Sequence, residues 1–396
     1  MEKFYKEKNV IKVRISSSLW NYIANTFPED TINKIKKDYP KLDKWINGQD
    51  SPTIKQLEKI SKKFKIPFGY FFLEKIPQEE IIPLYRRGKK WKGKISPELK
   101  ELINKLSSIQ NLLSEYLREI NAEHLGFVRS CSIESNFKEV ALKINQLLGL
   151  KEQWIFNFRN RNQVFNFLRD QIEKIGVFVF ANSIFWFNTH SKLNSDEFKG
   201  FCLIDNYAPI IFINTRDFIS SQIFTMVHEF VHVLLGESEI LSNPEILDID
   251  AEKIEIFCNK VTSEFLVPEK LFIIEWKESP EDYKTIAEKF HVSPIVIAIK
   301  AKMLNFIDEK KFTKFYDTYT GEISEKNVHQ REGFGDFYAI CRKFFGSNYI
   351  KILQQALNDG FINFRDVLNY TGLKESNFDK LIDQYQKRGT VDTISV

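Results

Sequence analysis

The apolar positions of this chain change their period along its length, and the changes divide it. From Ser17 to Phe72 they recur at helical spacing in short pieces, roughly 17–27, 30–38, 41–48 and 53–65, interrupted by Pro28, Pro40 and Gly48. This spacing predicts a small bundle of short helices. Over 76–95 the residues Pro77, Pro83, Gly88 and Gly93 break any period, and the stretch reads as a linker. Ser96-Pro97 then opens a long helix, with proline in the tolerated first position. Along it Leu99, Leu102, Leu106, Ile109, Leu113, Tyr116 and Ile120 alternate three and four apart. Such a seam suits either a twin helix in a homodimer or the chain's own core.

Beyond about 130 the pattern mixes helix and strand. A helix carrying Val164, Phe165, Leu168 and Ile172 leads through Gly176 into Val177-Phe178-Val179-Phe180, a short buried strand. Gly200–Ile204 and Ile210–Asn214, joined by a turn from Asp205 to Pro209, predict two neighbouring strands. They run into a helix from about Ser221 to Leu235, with Ile223, Val227, Val231 and Leu234 inward and Gly236 as its C′ residue. The next helix, about 249–266, has the stripe Ile254, Phe257, Cys258, Val261 and Phe265, and the segment from Gly335 to Leu381 predicts a compact helical tail. The fold class is therefore α+β, mainly α, in four parts: 1–75 helical, 76–130 linker and long helix, 131–310 helices around a small sheet, and 311–396 helical.

Composition narrows the class. With 43% hydrophobic residues and 36 Phe in 396 positions the chain can fill real cores. Cys131, Cys202, Cys258 and Cys341 are scattered without metal-finger spacing, which fits a reducing compartment. The charged N-terminus and the lack of any apolar run of ~18 residues give no support for export or membrane spanning, so a cytoplasmic location is expected. The net charge of +4 conceals a split, +11 over residues 1–100 and −7 over the rest. A basic head fits a polyanion partner, and equally a solvated lysine surface. The run Arg86-Arg87-Gly88-Lys89-Lys90-Trp91-Lys92-Gly93-Lys94 reads as a flexible solvated stretch, with phosphate contact plus base stacking on Trp91 as the other reading.

Six histidines occur, and two of them frame the pentad His228-Glu229-Phe230-Val231-His232. Four apart on a helix, His228 and His232 project from one face. Zinc takes neutral imidazoles and a third protein ligand and leaves a fourth position open. Glu229 is turned about 100° from His228. It cannot easily share the ion, but it can hold a water, take its proton during attack on a carbonyl and pass it to a leaving amine. On the helix at 249–266, Glu255 falls beside the apolar stripe between the small Ala251 and Thr262, whereas Glu252 points roughly opposite and Glu264 lies at the other edge. Glu255 is thus the expected third ligand, completing a His-His-Glu set. His124, His190, His291 and His329 have no companions and stay outside the site.

Phe198-Lys199-Gly200-Phe201, Asp205, Ala208-Pro209, Ile213-Asn214, Phe224-Thr225, His228-Glu229, His232, Glu255, Cys258-Asn259 and Phe265-Leu266-Val267-Pro268 together resemble the ImmA/IrrE metallopeptidases. The resemblance implies a zincin-like domain in which His228, His232 and Glu255 bind Zn2+ and Glu229 is the catalytic base. Thr285–Phe290 and Val292–Val296 resemble the small second helix-turn-helix of that family, with Ser293 as N-cap and Pro294 at N1.

Upstream, Leu42–Gly48, Pro52-Thr53-Ile54, Leu57, Ile60, Phe64 and Ile66-Pro67 resemble the later half of an Xre-type helix-turn-helix, with Trp45 in the core, Gly48 in a left-handed C′ position and Thr53 opening the next helix. Where that family has a glycine and an apolar residue, this chain has Lys36 and Lys37. Two readings follow, a DNA-binding head and a bundle that docks a protein. For DNA the expected contacts are Lys41, Lys44 and Asn47, with Lys34, Lys36 and Lys37 on phosphates.

The fused Xre plus ImmA/IrrE resemblance implies a regulatory zinc metallopeptidase that cuts a repressor-like DNA-binding protein. An extended substrate loop would pair with the sheet edge near Ile210 to Asn214. The alternative it implies is a non-catalytic antitoxin that binds a PIN-type toxin, its own promoter DNA, or both.

Overall fold

The computed structural model describes residues 4–7, 10–16, 19, 20, 23, 29–64, 68–72, 96–188, 191–236, 249–326 and 337–387. The described residues fall into two compact units, one made of those before 73 with 96–106 and 184–197, the other of 107–183 and those from 198 onward. The linker at 76–95, with its basic run, lies outside the described residues.

In the first unit β1 (Phe4–Glu7) and β2 (Val10–Val13) form an antiparallel hairpin, which the helical period beginning at Ser17 did not announce. Three helices follow: α1 (Glu29–Asp38), α2 (Leu42–Ile46) and α3 (Ile54–Phe64). They match three of the expected pieces; most of 17–27 lies outside the described residues, although Leu19, Trp20 and Ile23 are buried in the same core as Leu42 and Trp45. Gly48 has φ +69°, the left-handed turn anticipated for it. Thr53 opens α3 with a reciprocal cap, its N–H donating to Gln56 Oε1 at 2.8 Å and its Oγ1 accepting from Gln56 N–H at 3.3 Å. The hairpin is tied to the same corner by Val13 N–H to Pro52 O at 2.9 Å and by Lys12 to Asp50 at 2.6 Å.

The long helix α4 (Pro97–Glu119) starts under the Ser96 hydroxyl, which accepts from Leu99 N–H at 3.2 Å. Leu99, Leu102, Leu106, Ile109, Leu113 and Tyr116 are at most 1% exposed within the single chain, so a twin helix would need a different surface. Within the second unit, Gln110 of this helix donates to both Leu203 O and Ala208 O at 2.9 Å, and Ser114 bonds Asp205 at 3.1 Å, clamping the turn between two strands.

The second unit continues with α5 (Phe137–Leu147), α6 (Arg161–Lys174), β3 (Phe178–Asn182), β4 (Gly200–Leu203) and β5 (Ile210–Asn214). The sheet order is β3-β5-β4, with β3 parallel and β4 antiparallel to β5. Ile210–Asn214 is therefore the central strand. Its ladder positions are already used on both sides, so the edges of the sheet are instead β3 and β4. All three strands are buried along their length because the sheet is covered on both faces, which explains their nearly continuous apolar sequences. Val179, Ala181, Cys202, Ile211 and Ile213 face the main core, and on the other side Phe201 stacks on Phe212 at 5.4 Å while Phe180 meets Phe344, Phe345 and Tyr349.

Against the main-core face lies α7 (Ile219–Leu235), with α8 (Ile249–Leu266) packed on α7 and α5, followed by α9 (Glu269–Glu278), α10 (Tyr283–Lys289), α11 (Pro294–Met303) and α12 (Glu309–Lys326). Ser293 and Pro294 occupy the anticipated N-cap and N1 positions of α11, but the serine side chain makes no capping bond. The tail folds as α13 (Phe337–Phe345), α14 (Ser347–Asn358), α15 (Phe364–Thr371) and α16 (Glu375–Lys387). The architecture is α+β and mainly α, as the periodicities implied. Among the described residues no helix is long and apolar enough to cross a membrane.

Candidate metal centre

Helix α7 is buried from Gln222 to Leu235, apolar nearly all round, as a central helix must be. Its C-terminus is held firmly. Gly236 (φ +72°) closes it with N–H bonds to His232 O and Val233 O, and the backbone at 129–131 donates to Val233 O and Leu234 O at 2.7–3.3 Å. A side chain at 236 would collide with Arg129, whose Cγ lies 1.8 Å from an added Cβ. The last turn of α7, which carries His232, is thereby fixed from outside the helix.

His228 is fully buried, His232 is 5% exposed and Glu229 1%. Packed on α7, α8 brings Glu255 to the two histidines. Their Nε2 atoms lie 3.2 Å apart, His232 Nε2 is 3.2 Å from Glu255 Oε1, and His228 Nε2 is 3.3 Å from Oε2. Among the described residues this is the cluster whose donor atoms converge on one point, all within 4.8 Å of one another. Tetrahedral zinc with ligands at ~2.0–2.1 Å sets its donors about 3.3 Å apart, so the triangle has the right edge length.

Proton counting favours a cation at its centre. If both Nε2–H groups donate to Glu255, they point at each other across 3.2 Å; if one accepts from the other, its contact with the carboxylate joins two acceptors. A cation lets all three donors present lone pairs. Burial would raise the Glu255 carboxyl, but hydrogen bonds and charge from His228 and His232 outweigh it and hold it well below the usual carboxylate range. Burial opposes charge on His232, yet Cys258, Glu255 and Glu229 raise its pKa well above the ordinary value. Both shifts reflect the mutual attraction of the imidazoles and the acidic groups gathered around them.

The other acids on α8 are not brought in. Glu264 is engaged by Lys300 and accepts from Glu269 N–H at 3.1 Å, and the Glu252 side chain lies outside the described residues. His291 is structural, with φ +56° and its Nε2 3.1 Å from Phe158 O; His124 is exposed, and His190 and His329 lie outside the described residues. Sequence reasoning missed two thiols. Burial pushes the Cys202 thiol on β4 well up, with the charge of Glu229 acting in the same direction, and Cys258, one turn beyond Glu255 on α8, interacts with His232. The spacing of Cys258 from Glu255 was a readable signal, whereas the Cys202 contact depends on how β4 packs on α7.

Lys41, Lys44 and Asn47 belong to the first unit. All three are exposed along α2 and its flanks, but Lys41 lies 3.7 Å from Asp50 and Lys36 pairs with Asp43 at 2.9 Å, so acids share that surface. The Lys34 side chain lies outside the described residues.

Residues 172–302 match the Peptidase_M78 family model, the IrrE N-terminal-like domain. That segment runs from the end of α6 to α11 and contains the sheet, Glu229 and the whole His228, His232, Glu255 cluster. A comparison with curated proteins gives no match.

Proposed function

We propose that this chain is a regulatory zinc-dependent metallopeptidase that cuts an exposed loop of a DNA-binding, repressor-type protein. The observation that carries the reading is the convergence of His228, His232 and Glu255 at zinc-like donor spacing, with Glu229 on the same helix and within a segment that matches a peptidase domain. The three ligands would hold Zn2+, which when bound would polarise the scissile carbonyl and acidify water. Glu229 takes the proton from the attacking water and returns it to the leaving amine. Its burial excludes bulk water from that transfer.

The substrate segment would enter as an extended strand against β4. Asn214 N–H bonds Lys199 O at 2.9 Å, so by the antiparallel alternation Phe201 and Leu203 face β5 while the backbone groups of Gly200 and Cys202 point away from it. In this reading the basic head selects DNA or a DNA-bound repressor.

The test is incubation of the full chain with the DNA-binding and toxin-like products of neighbouring genes, read by intact mass. Cleavage at a defined bond that needs zinc, and that drops at least about 100-fold in Glu229→Gln, is expected. Equal processing by Glu229→Gln would contradict it. Neutralisation of a PIN-type toxin that survives His228→Ala would instead support the antitoxin.

A further inference from the structure

We propose that Gly200 and Cys202 are positioning residues, forming a slot on the inward face of β4 that holds the Glu229 side chain beside the ligand triad. The inference rests on the reading of Glu229 as the base. Two apart on a strand, the residues share one face. That face packs on α7, since Cys202 belongs to the main core and a Cβ built at Gly200 would meet Thr225 Cγ2 at 2.5 Å, Phe212 O at 2.8 Å and Glu229 Cγ at 3.5 Å. The backbone at 200 is not in a glycine-only conformation, so what requires glycine there is space. One of the crowding groups, Phe212 O, is backbone of the central strand and cannot rotate away. Any side chain at 200 must therefore shift β4 against β5 and press on Thr225 of α7. The next inward position is Cys202, buried on the same face of the strand and near enough to the Glu229 carboxylate for the carboxylate's charge to act on the thiol. Gly200 thus lies against the glutamate stem, at ordinary contact distance, and Cys202 follows two residues on along the same face. The same two residues turn their backbone groups away from β5, along the proposed substrate edge, so the strand that would receive the peptide is also the one that would position the base.

Full-length Gly200→Ala, Cys202→Ala and Cys202→Ser are compared with wild type and Glu229→Gln. The readouts are kcat and KM on the cleaved target, metal content, and the visible absorption of the cobalt(II)-substituted protein. The expected result for Gly200→Ala is a kcat lowered about tenfold or more with KM within about twofold and metal content retained, because a misplaced base affects the chemical step. Cys202→Ala should lower kcat, and Cys202→Ser should restore most of it. The cobalt band of Gly200→Ala should shift in the same sense as that of Glu229→Gln. A folded, metal-loaded Gly200→Ala with wild-type kcat and an unshifted band overturns the inference. Should that variant fail to fold, wild-type kcat in Cys202→Ala overturns it. A wild type that binds metal but cuts nothing sinks the peptidase reading alone, and the cobalt bands of Gly200→Ala and Cys202→Ala then decide: a shift supports the slot, no shift removes it.

Discussion

Glu229 and Glu255 show how two identical side chains are assigned different work by their surroundings. Glu229 stands on the buried stretch of α7 one residue from His228, while Glu255, its side chain 34% exposed, reaches across from α8 to within 3.2–3.3 Å of both imidazole Nε2 atoms. His291 tests the electrostatics of the same core at a distance from the site. Burial lowers its pKa from the ordinary 6.5, with the nearby Arg161 acting in the same direction and the Phe158 carbonyl opposing. A base whose folded pKa is depressed binds fewer protons folded than unfolded, so its contribution to stability is lost as pH falls through about 6.5. Replacing it by asparagine, which tolerates the left-handed φ, should flatten the decline of the urea midpoint between pH 7 and 5; an unchanged slope would show that His291 is not the group responsible. The sequence made His228, Glu229, His232 and Glu255 legible because helical spacing alone places the first three and nearly places the fourth. It was silent on the Cys202 thiol, since that contact joins a strand to a helix through packing that no local period records.

At the level of elements, helices with strong stripes were readable to within a residue or two, and α8 occupies the anticipated 249–266. The hairpin β1–β2 was not, because two four-residue strands carry too short a pattern to compete with the lysines around them. Nor could periodicity say that the seam of α4 is covered by its own chain. The join between the tail and the sheet was equally hidden. There Arg169 on α6 donates to Lys343 O and Phe344 O at the end of α13 and to Val179 O, while Glu173, 3.2 Å from Arg169, accepts from Ser347 N–H at 2.8 Å and its hydroxyl at 2.7 Å at the start of α14. One buried ion pair thus caps two helices of the tail, satisfying carbonyls at one end and amides at the other. Glu173→Ala leaves Arg169 buried without its carboxylate and should cost roughly 3 kcal/mol, seen as a lowered denaturant midpoint. A cost below about 0.5 kcal/mol would mean the tail is held by its aromatic contacts alone.

For the whole molecule, the ion and the fold are linked. The ligands come from helices separated by 12 residues outside the described structure, so an ion joining them stabilises the folded state by binding it in preference to the unfolded chain. At a thousandfold excess of zinc over its Kd that linkage is worth about 4 kcal/mol, and chelation should lower the Tm of wild type while leaving His228→Ala unmoved. Acidification should weaken the metal's hold, since protons compete for the same imidazoles and carboxylate. The most direct test of the central claim is the zinc content of dialysed full-length protein, compared with that of Glu255→Ala. Three ligands on two helices predict about one zinc per chain in wild type and near none in the variant. Wild type without stoichiometric zinc, or a variant that retains it in full, would contradict the account.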